Sequence, residues 1–550
     1  MATTATPGSA PLVDLHGRSP WTILPALCLG FFMIMVDTTI VNVAIPTLVK
    51  DFDVSLTTVG WVNSAYLLTF SVLLLVTGRL GDMFGPRRVF VAGLVVFTLA
   101  SAACGLSGSI EMLIAARALQ GVGSALMTPQ TMAMITRVFP PQQRGAALGI
   151  WGSVAGVATI AGPLLGGILI ETAGWAWIFY VNIPVGVVAL VLAFRWLPRL
   201  PRHARSMDGI GVLLSTTGML LLVFGLQEGE AYAWGEVRWG VTIWEIVATG
   251  AVLLVAFALW QLRRGDDALL PMRLFAVRNF LLANVGGAAV SFAMIGIFFP
   301  LTLFLQEIVG LSPIRAALVS LPGSVISGVV APFAGRLSDR ISAKWVVAFG
   351  FGMLAVAVAW LGLWIDADAS PWRLLAPMAV FGIGSGSVFS PLANLATAGL
   401  DHRTAGAGAG AFNTNRQIGG VIGSAAIIAM LTSRLGHTIP AAAVGASTAL
   451  PEAYRQQFID AFAHAGASFG GGTAGLTLPD GIPPDAVTAI RAAAQVAVGH
   501  GFATAVAQTL VLAVAVLLVG MVSALLMRGG GTHHLPAAGA DQASEGAVAA

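Results

Sequence analysis

One carboxylate interrupts the apolar stretch FFMIMVDTTIVNVA, at Asp37, and one guanidinium interrupts MLIAARALQGVG, at Arg117. A carboxyl group taken out of water prefers its neutral form. Asp37 could therefore bind a proton and release it as its surroundings change, or it could be held permanently by hydrogen bonds to Thr38, Thr39 or Asn42. An ionisable side chain at membrane depth is a functional candidate by default. A guanidinium there needs a partner. Arg117 is expected to pair with Asp37 or to polarise it through water, unless it only anchors helix packing. Arg416 and Gln417, in NTNRQIGG, form a second polar island. With Asn42, Gln120 and Asn413 they are candidates for a polar or substrate-contacting lining.

A second group of residues gathers charge instead of isolating it. TGRLGDMFGPRR (77–88) carries Arg79, Asp82, Arg87 and Arg88 in a chain that is 10% charged overall. A turn at a water surface accounts for Arg87 and Arg88, but not for Gly78, Asp82 and Gly85. The frame Gly-Arg-Leu-x-Asp returns in GRLSDRISAKWV, from Gly335 to Asp339 and beyond, where Ser342 replaces the later glycine. Asp82 is suited to accept hydrogen bonds from a helix N-terminus or to pair with an arginine. Gly78 and Gly85 would let backbones approach. Such a contact could lock one side of the molecule closed in one state and open in another.

The elements that place these residues follow from composition. The chain has 550 residues and is 57% hydrophobic, with a mean hydropathy of +0.86. Soluble domains carry about 25% charged residues, so lipid must solvate most of this surface. The apolar runs are about 20 residues long, the length a helix needs to cross the hydrocarbon core, and they lack the alternation of barrel strands. Strands are not expected. Fourteen membrane helices are expected near 23–44, 59–78, 89–106, 112–134, 146–170, 178–196, 210–226, 244–262, 281–305, 315–335, 345–365, 374–395, 405–431 and 502–527. The first is read as a retained helix, not a cleaved signal. With both termini cytoplasmic, nineteen of the 28 Lys and Arg residues fall inside, seven outside and two, Arg117 and Arg416, within helices. That bias sets the orientation.

The Asp82 and Asp339 frames stand eight helices apart. The simplest account is a repeat of two six-helix halves with two helices inserted between them. The expected organisation is a cytoplasmic N-terminus (1–22), a first bundle (23–196), a linker with two extra helices (197–280), a second bundle (281–527) and a disordered cytoplasmic tail (528–550). Within the second bundle, 432–501 is read as an extracytoplasmic loop. Amphipathic helices are expected in it near PEAYRQQFIDAFAHA and PDAVTAIRAAAQVAVG.

GRLGDMFGPRR resembles the signature loop of the major facilitator superfamily, with Gly78, Leu80, Asp82, Gly85 and Arg87 or Arg88 matching and Met83 and Pro86 departing from it. VDTTIVNVAIP, RALQGVGSALMTP, GSVAGVATIAGPLLGG and NTNRQIGG resemble motifs of its fourteen-helix drug:proton antiporter branch, the EmrB/QacA type. The resemblance implies an all-α major facilitator fold of two six-helix bundles plus two inserted helices, and alternating access between the bundles. It also places a functional arginine at Arg117. The fifth helix carries Gly152, Gly156, Gly162, Pro163, Gly166 and Gly167. Two small-xxx-small pairs there allow close packing, and Pro163 would bend the helix. The resemblance reads that seam as an antiporter motif.

Several function classes are disfavoured. The two lysines, Lys50 and Lys344, lie in no G-x-x-x-x-G-K-[ST] loop, so no nucleotide site is expected; the energy comes from an ion gradient, a downhill substrate or a separate subunit, and the expectation is a proton gradient with no cofactor. H-E-x-x-H and Cys/His clusters are absent from the sequence, which argues against a membrane enzyme. No histidine falls in the expected spans, so a histidine proton relay is not expected. His533–His534 in the tail is weak evidence for metal, and none is assigned. Cys28 and Cys104 sit inside expected spans and suggest no disulfide. The expected activity is efflux of amphiphilic small molecules, such as antibiotics or dyes, in exchange for protons, by a monomer in the cell membrane and without nucleic acid. The alternatives are a dedicated exporter of one metabolite, lipid or siderophore, and a sensor that no longer transports.

Overall fold

In the computed structural model the described residues are 18–54, 56–200, 207–229, 232, 234–238, 240–264, 268–270, 272–397, 400, 405–465 and 484–528. The His533–His534 pair lies outside them. Sixteen α-helices are described, here α1–α16 in chain order. The first seven are α1 (Leu24–Phe52), α2 (Leu56–Phe84), α3 (Pro86–Gly105), α4 (Ile110–Val138), α5 (Pro141–Ala173), the one-turn α6 (Trp177–Tyr180) and α7 (Asn182–Trp196). The inserted pair is α8 (Gly209–Glu228) and α9 (Ile243–Arg264). The last seven are α10 (Arg278–Leu303), α11 (Pro313–Arg340), α12 (Ala343–Trp364), α13 (Leu375–Thr397), α14 (Ala405–Ala446), α15 (Glu452–Ala465) and α16 (Pro484–Leu526).

Thirteen helices of the described residues are long and apolar enough to cross a membrane. The remaining expected span corresponds to α5, 33 residues long, whose apolar stretch among the described residues is Leu164–Ala173. The chain is thus a multi-pass membrane protein. Helix ends are set by local chemistry. Gly85 adopts φ 90° at the α2–α3 junction, a conformation that disfavours side chains, and Pro86 then opens α3. Ser109 caps α4 through Met112 N, and Ser312 caps α11 ahead of Pro313. Gly174 closes α5 at φ 92°.

The helices pack in two groups. In one, α5 lies on α1, α4 on α2 and α3, and α7 on α1 and α3; in the other, α11 and α12 lie on α13, and α14 and α16 on α10. The groups meet along α5–α11 and α2–α14. The inserted hairpin packs on itself and then against α2 and α14. Its apolar contact joins Leu68 and Val72 of α2, Met219 and Val223 of α8, and Val421 of α14. Asp208 pins the hairpin. It accepts Gly211 N at 3.1 Å, Trp260 Nε1 at 3.0 Å and Gln261 Nε2 at 2.8 Å.

Two expectations need correction. A two-stranded antiparallel pair, β1 (Glu236–Arg238) and β2 (Val241–Thr242), joins α8 to α9, although strands were not expected. It is local: Gly240 supplies a φ of 79° between the strands, and hydropathy averaged over a span does not detect so short a turn. Within 432–501 the helices expected near PEAYRQQFIDAFAHA and PDAVTAIRAAAQVAVG are present, as α15 and the start of α16, but the flanking spans do not stop at 431 and restart at 502 as expected. α14 runs 42 residues and α16 runs 43, about 63 Å each at 1.5 Å per residue against a hydrocarbon core of about 30 Å. Their extensions enclose α15 around buried Ile439, Ala443, Phe458, Phe462, Ala494 and Ala497. Apolar residues at helical spacing continue past the end of the membrane run, so the helix continues with them. His437 and His500 ride on these extensions.

A buried ion pair and a two-sided latch

Asp37 and Arg117 meet inside the first group of helices. Arg117 Nη1 lies 2.5 Å from Asp37 Oδ2, and both side chains are fully buried. Gln120 Nε2 donates to Asp37 Oδ1 at 2.8 Å, and its Oε1 accepts from Arg117 Nη1 at 2.7 Å. Gln120 stands one turn after Arg117 on α4, so the two side chains share a face. Asn182 of α7 donates to Asp37 Oδ1 at 3.5 Å and to Ser101 Oγ of α3 at 3.1 Å. Arg117 Nε donates to Val62 O of α2 at 3.0 Å, and the guanidinium stacks over Tyr66, 4.3 Å from its centroid. One carboxylate and one guanidinium therefore tie together α1, α2, α3, α4 and α7.

Of the two modes open to Arg117, direct pairing is the one present. The residues expected to hold Asp37 permanently do not. Thr38 and Thr39 donate to Met35 O and Val36 O of their own helix, and Asn42 accepts from Asn63 at 2.6 Å. Gln120 belongs to the ion-pair network and not to a lining, because it is fully buried. Asn182 and Ser101 were not anticipated. Their signal in sequence is only a polar residue in an otherwise apolar helix.

The repeated loops form a second construction. Asp82 Oδ1 pairs with Arg137 Nη2 at 2.5 Å, and its Oδ2 accepts Ala407 N, in the first turn of α14, at 3.1 Å. Asp339 Oδ1 accepts Gly145 N at 3.0 Å and its Oδ2 accepts Ala146 N at 3.1 Å, early in α5. Each aspartate ends the second helix of one half and binds the start of the fifth helix of the other. A helix N-terminus presents unpaired N–H groups and positive potential, which a carboxylate complements. Ser390 Oγ adds a bond to Gly145 O at 2.9 Å. Gly335 packs on the Gly145 carbonyl so closely that a Cβ would collide with it, and Gly410 lies on Leu74 and Gly78.

The glycines of α5 divide between two neighbours. Gly156 sits under Ser324 O of α11, where a Cβ would come within 2.8 Å, while Gly162 and Gly166 lie against Thr39 and Ile40 of α1. Gly152 and Gly167 face open space, so they are not part of the close seam. Gly145 and Gly149 also pack on α11; Gly145 was missed because the helix was expected to begin at 146, and Gly149 was inside that span but not singled out. Pro163 has a side chain outside the described residues. Gly85 supplies a turn conformation and not a close approach. Arg87 donates to Phe194 O at 2.7 Å within its own half, and Arg88 is exposed. Neither contributes to the latch. They line a cavity of about 380 Å³ with Phe84, Phe194 and Arg199.

A multi-pass helical protein with two pseudo-repeated halves, held together across a seam at one end, has the two-bundle architecture of a membrane transporter. The model of the Major Facilitator Superfamily matches residues 27–424, and the chain belongs to that family of transporters. It is 46% identical to an uncharacterized MFS-type transporter of Mycobacterium tuberculosis, over 77% of this chain and 72% of the relative. It is 33% identical to the tetracenomycin C resistance and export protein of Streptomyces glaucescens, over 78% and 79%. Among solved structures, the proton:xylose symporter XylE aligns with a TM-score of 0.55 at 14% identity, over 82% of this chain and 94% of XylE. That likeness shows the fold.

Proposed function

We propose that the protein exports amphiphilic small molecules from the cytoplasm in exchange for protons, as a fourteen-helix drug:proton antiporter in the cell membrane with both termini cytoplasmic. The observation that carries this reading is the buried Asp37–Arg117 pair beside a seam closed by a few side-chain-to-backbone bonds. Protonation of Asp37 replaces the ion pair by a weaker hydrogen bond from the still-charged Arg117 guanidinium to a neutral carboxyl oxygen. That loosens α1 from α4. The α5 helix packs on α1 two and three residues beyond Asp37 and on α11 at Gly145, Gly149 and Gly156, so α1 and the seam share one rigid lever. Opening the seam toward the cytoplasm breaks the Asp82 and Asp339 contacts without exposing an apolar core. Nothing in this cycle requires a second subunit.

The relative named for tetracenomycin C resistance and export supports efflux. It equally supports a narrower reading, export of one natural product, and the breadth of compounds expelled separates the two. The test is uphill transport in sealed vesicles under an imposed pH gradient, comparing the native chain with Asp37→Asn. Proton-driven pumping by the native chain alone supports the assignment. Equal pumping by both moves the proton site elsewhere.

A further inference from the structure

Two arginines lie at membrane depth, and they are treated in opposite ways. Arg117 is enclosed with Asp37. Arg416, about 17 Å along α14 at 1.5 Å per residue, has no acidic partner among the described residues. Its Nε is shut away from solvent with no hydrogen-bond partner. The side chain as a whole is only half-buried. Its stem lies on α10, where a Cβ on Gly287 would come within 3.1 Å of Arg416 Cγ. Its guanidinium carbon stands 5.3 Å from the centroid of Phe389 on α13.

The position of Arg416 on α14 is informative. Asn413, one turn earlier, faces the opposite half, with its Nδ2 3.9 Å from Met132 Sδ of α4. Residues three apart on a helix share a face. Arg416 follows the Asn413 contact by one turn, on the flank of α14 that carries Phe412 and packs on α10 at Gly287. A guanidinium does not shed its proton. In a low-dielectric setting it is strongly disfavoured without an anion, and the ring of Phe389 supplies only a weak cation–π contact. Thr414 Oγ1, two residues away, is likewise buried and unpartnered. Among the described residues no acidic group accompanies this guanidinium, which stands between α10 and α13.

We propose that Arg416 binds the anionic group of the transported molecule, so that the preferred substrates are aromatic amphiphiles carrying a carboxylate or comparable anion, with an apolar ring beside Phe389. This rests on the efflux reading. A guanidinium takes a carboxylate through two parallel N–H donors, which an ammonium cannot match.

The experiment uses the full chain in detergent and two dyes on one xanthene scaffold, anionic fluorescein and cationic rhodamine 6G, with binding followed by fluorescence anisotropy. The native protein is expected to bind fluorescein, with affinity reduced about tenfold or more in Arg416→Gln and partly retained in Arg416→Lys. Rhodamine 6G binding should hold or strengthen in Arg416→Gln, which also shows that the variant is folded. Phe389→Ala, which keeps the charge, should weaken fluorescein binding by a smaller factor. Failure of the native protein to bind fluorescein overturns the proposal, as does an affinity for fluorescein unchanged by Arg416→Gln. Proton-driven movement of either dye in sealed vesicles is scored separately. Its absence alongside Arg416-dependent fluorescein binding would refute the pump and leave the anion site standing.

Discussion

Asp339, at the end of α11, holds the backbone N–H of Gly145, near the start of α5, at 3.0 Å. Asp82 holds Ala407 N at 3.1 Å in the mirrored position. The two halves are latched reciprocally by one sequence frame used twice. The copies differ: Asp82 also pairs with the buried Arg137, whereas Asp339 takes a second backbone N–H, that of Ala146, and no ion pair to it is described.

That asymmetry predicts unequal costs. Asp82→Ala leaves Arg137 buried without its anion, a loss of about 3–5 kcal/mol, and also removes the charged acceptor of Ala407 N, a further loss of about 1.5–3 kcal/mol. Asp339→Ala removes hydrogen bonds to two backbone groups, worth about 1.5–3 kcal/mol each when the acceptor is charged. Thermal melts in detergent should show the larger drop for Asp82→Ala. Cysteines placed across the seam should become accessible in both variants. Equal melts would mean that Arg137 finds another partner.

Arg117→Ala isolates Asp37 in a site with no water and should cost about 3–5 kcal/mol. Asp37→Asn keeps an acceptor for Gln120 and is expected to cost less, while abolishing uphill transport. Energy-independent exchange of labelled substrate should survive in Asp37→Asn. If exchange is lost together with pumping in a variant that melts normally, Asp37 has a role in substrate movement itself.

The glycine seam predicts a positional pattern along α5. Gly156→Leu would drive a side chain into Ser324 O, and Gly335→Val would drive one into Gly145 O. Both should hold the halves apart and slow transport at least tenfold. Gly152→Ala and Gly167→Ala meet nothing within 4 Å and should leave the rate within about twofold. A helix interior gains about 1 kcal/mol from Gly→Ala, so their melting temperatures should hold or rise.

The inserted hairpin has a pH signature. Burial pushes the Asp208 carboxyl up, but Gly211 N–H, Trp260, Gln261 and Arg264 together hold it below the ordinary carboxylate range. A depressed pKa means that the stabilisation is present above the unfolded value of about 3.9 and is lost as pH falls through the lower folded value. Amide protection in α8 and α9, corrected for the slower intrinsic exchange at acid pH, should therefore fall below about pH 4, an acceleration relative to the intrinsic rate. In Asp208→Asn that acceleration should be blunted. An unchanged pH profile in the variant would assign the effect to another group.

Much of this was legible in the chain because each signal is local or periodic. The apolar runs mark helices, since a backbone in lipid must satisfy its own hydrogen bonds. The return of Gly-Arg-Leu-x-Asp marks the repeat. An isolated Asp37 and an isolated Arg117 in apolar surroundings point to one another, because neither charge is stable alone there. The ends of two spans were misjudged for a related reason: hydropathy reports where lipid ends, and helices 42 and 43 residues long do not end with it.

The sequence by itself determined the all-helical membrane character, the doubled frame and the scarcity of intramembrane charge, all set by composition and by spacing along one chain. Only the tertiary structure decided which side chains meet. Asn182 reaches Asp37 across 145 residues, and Asp339 reaches Gly145 across 194. It also decided that Gly152 stays open while Gly145 is packed, and that Arg416 is left without an anion. Those facts depend on how helices rotate and cross, which is fixed by the fit of many side chains at once and carries no signature at any single position.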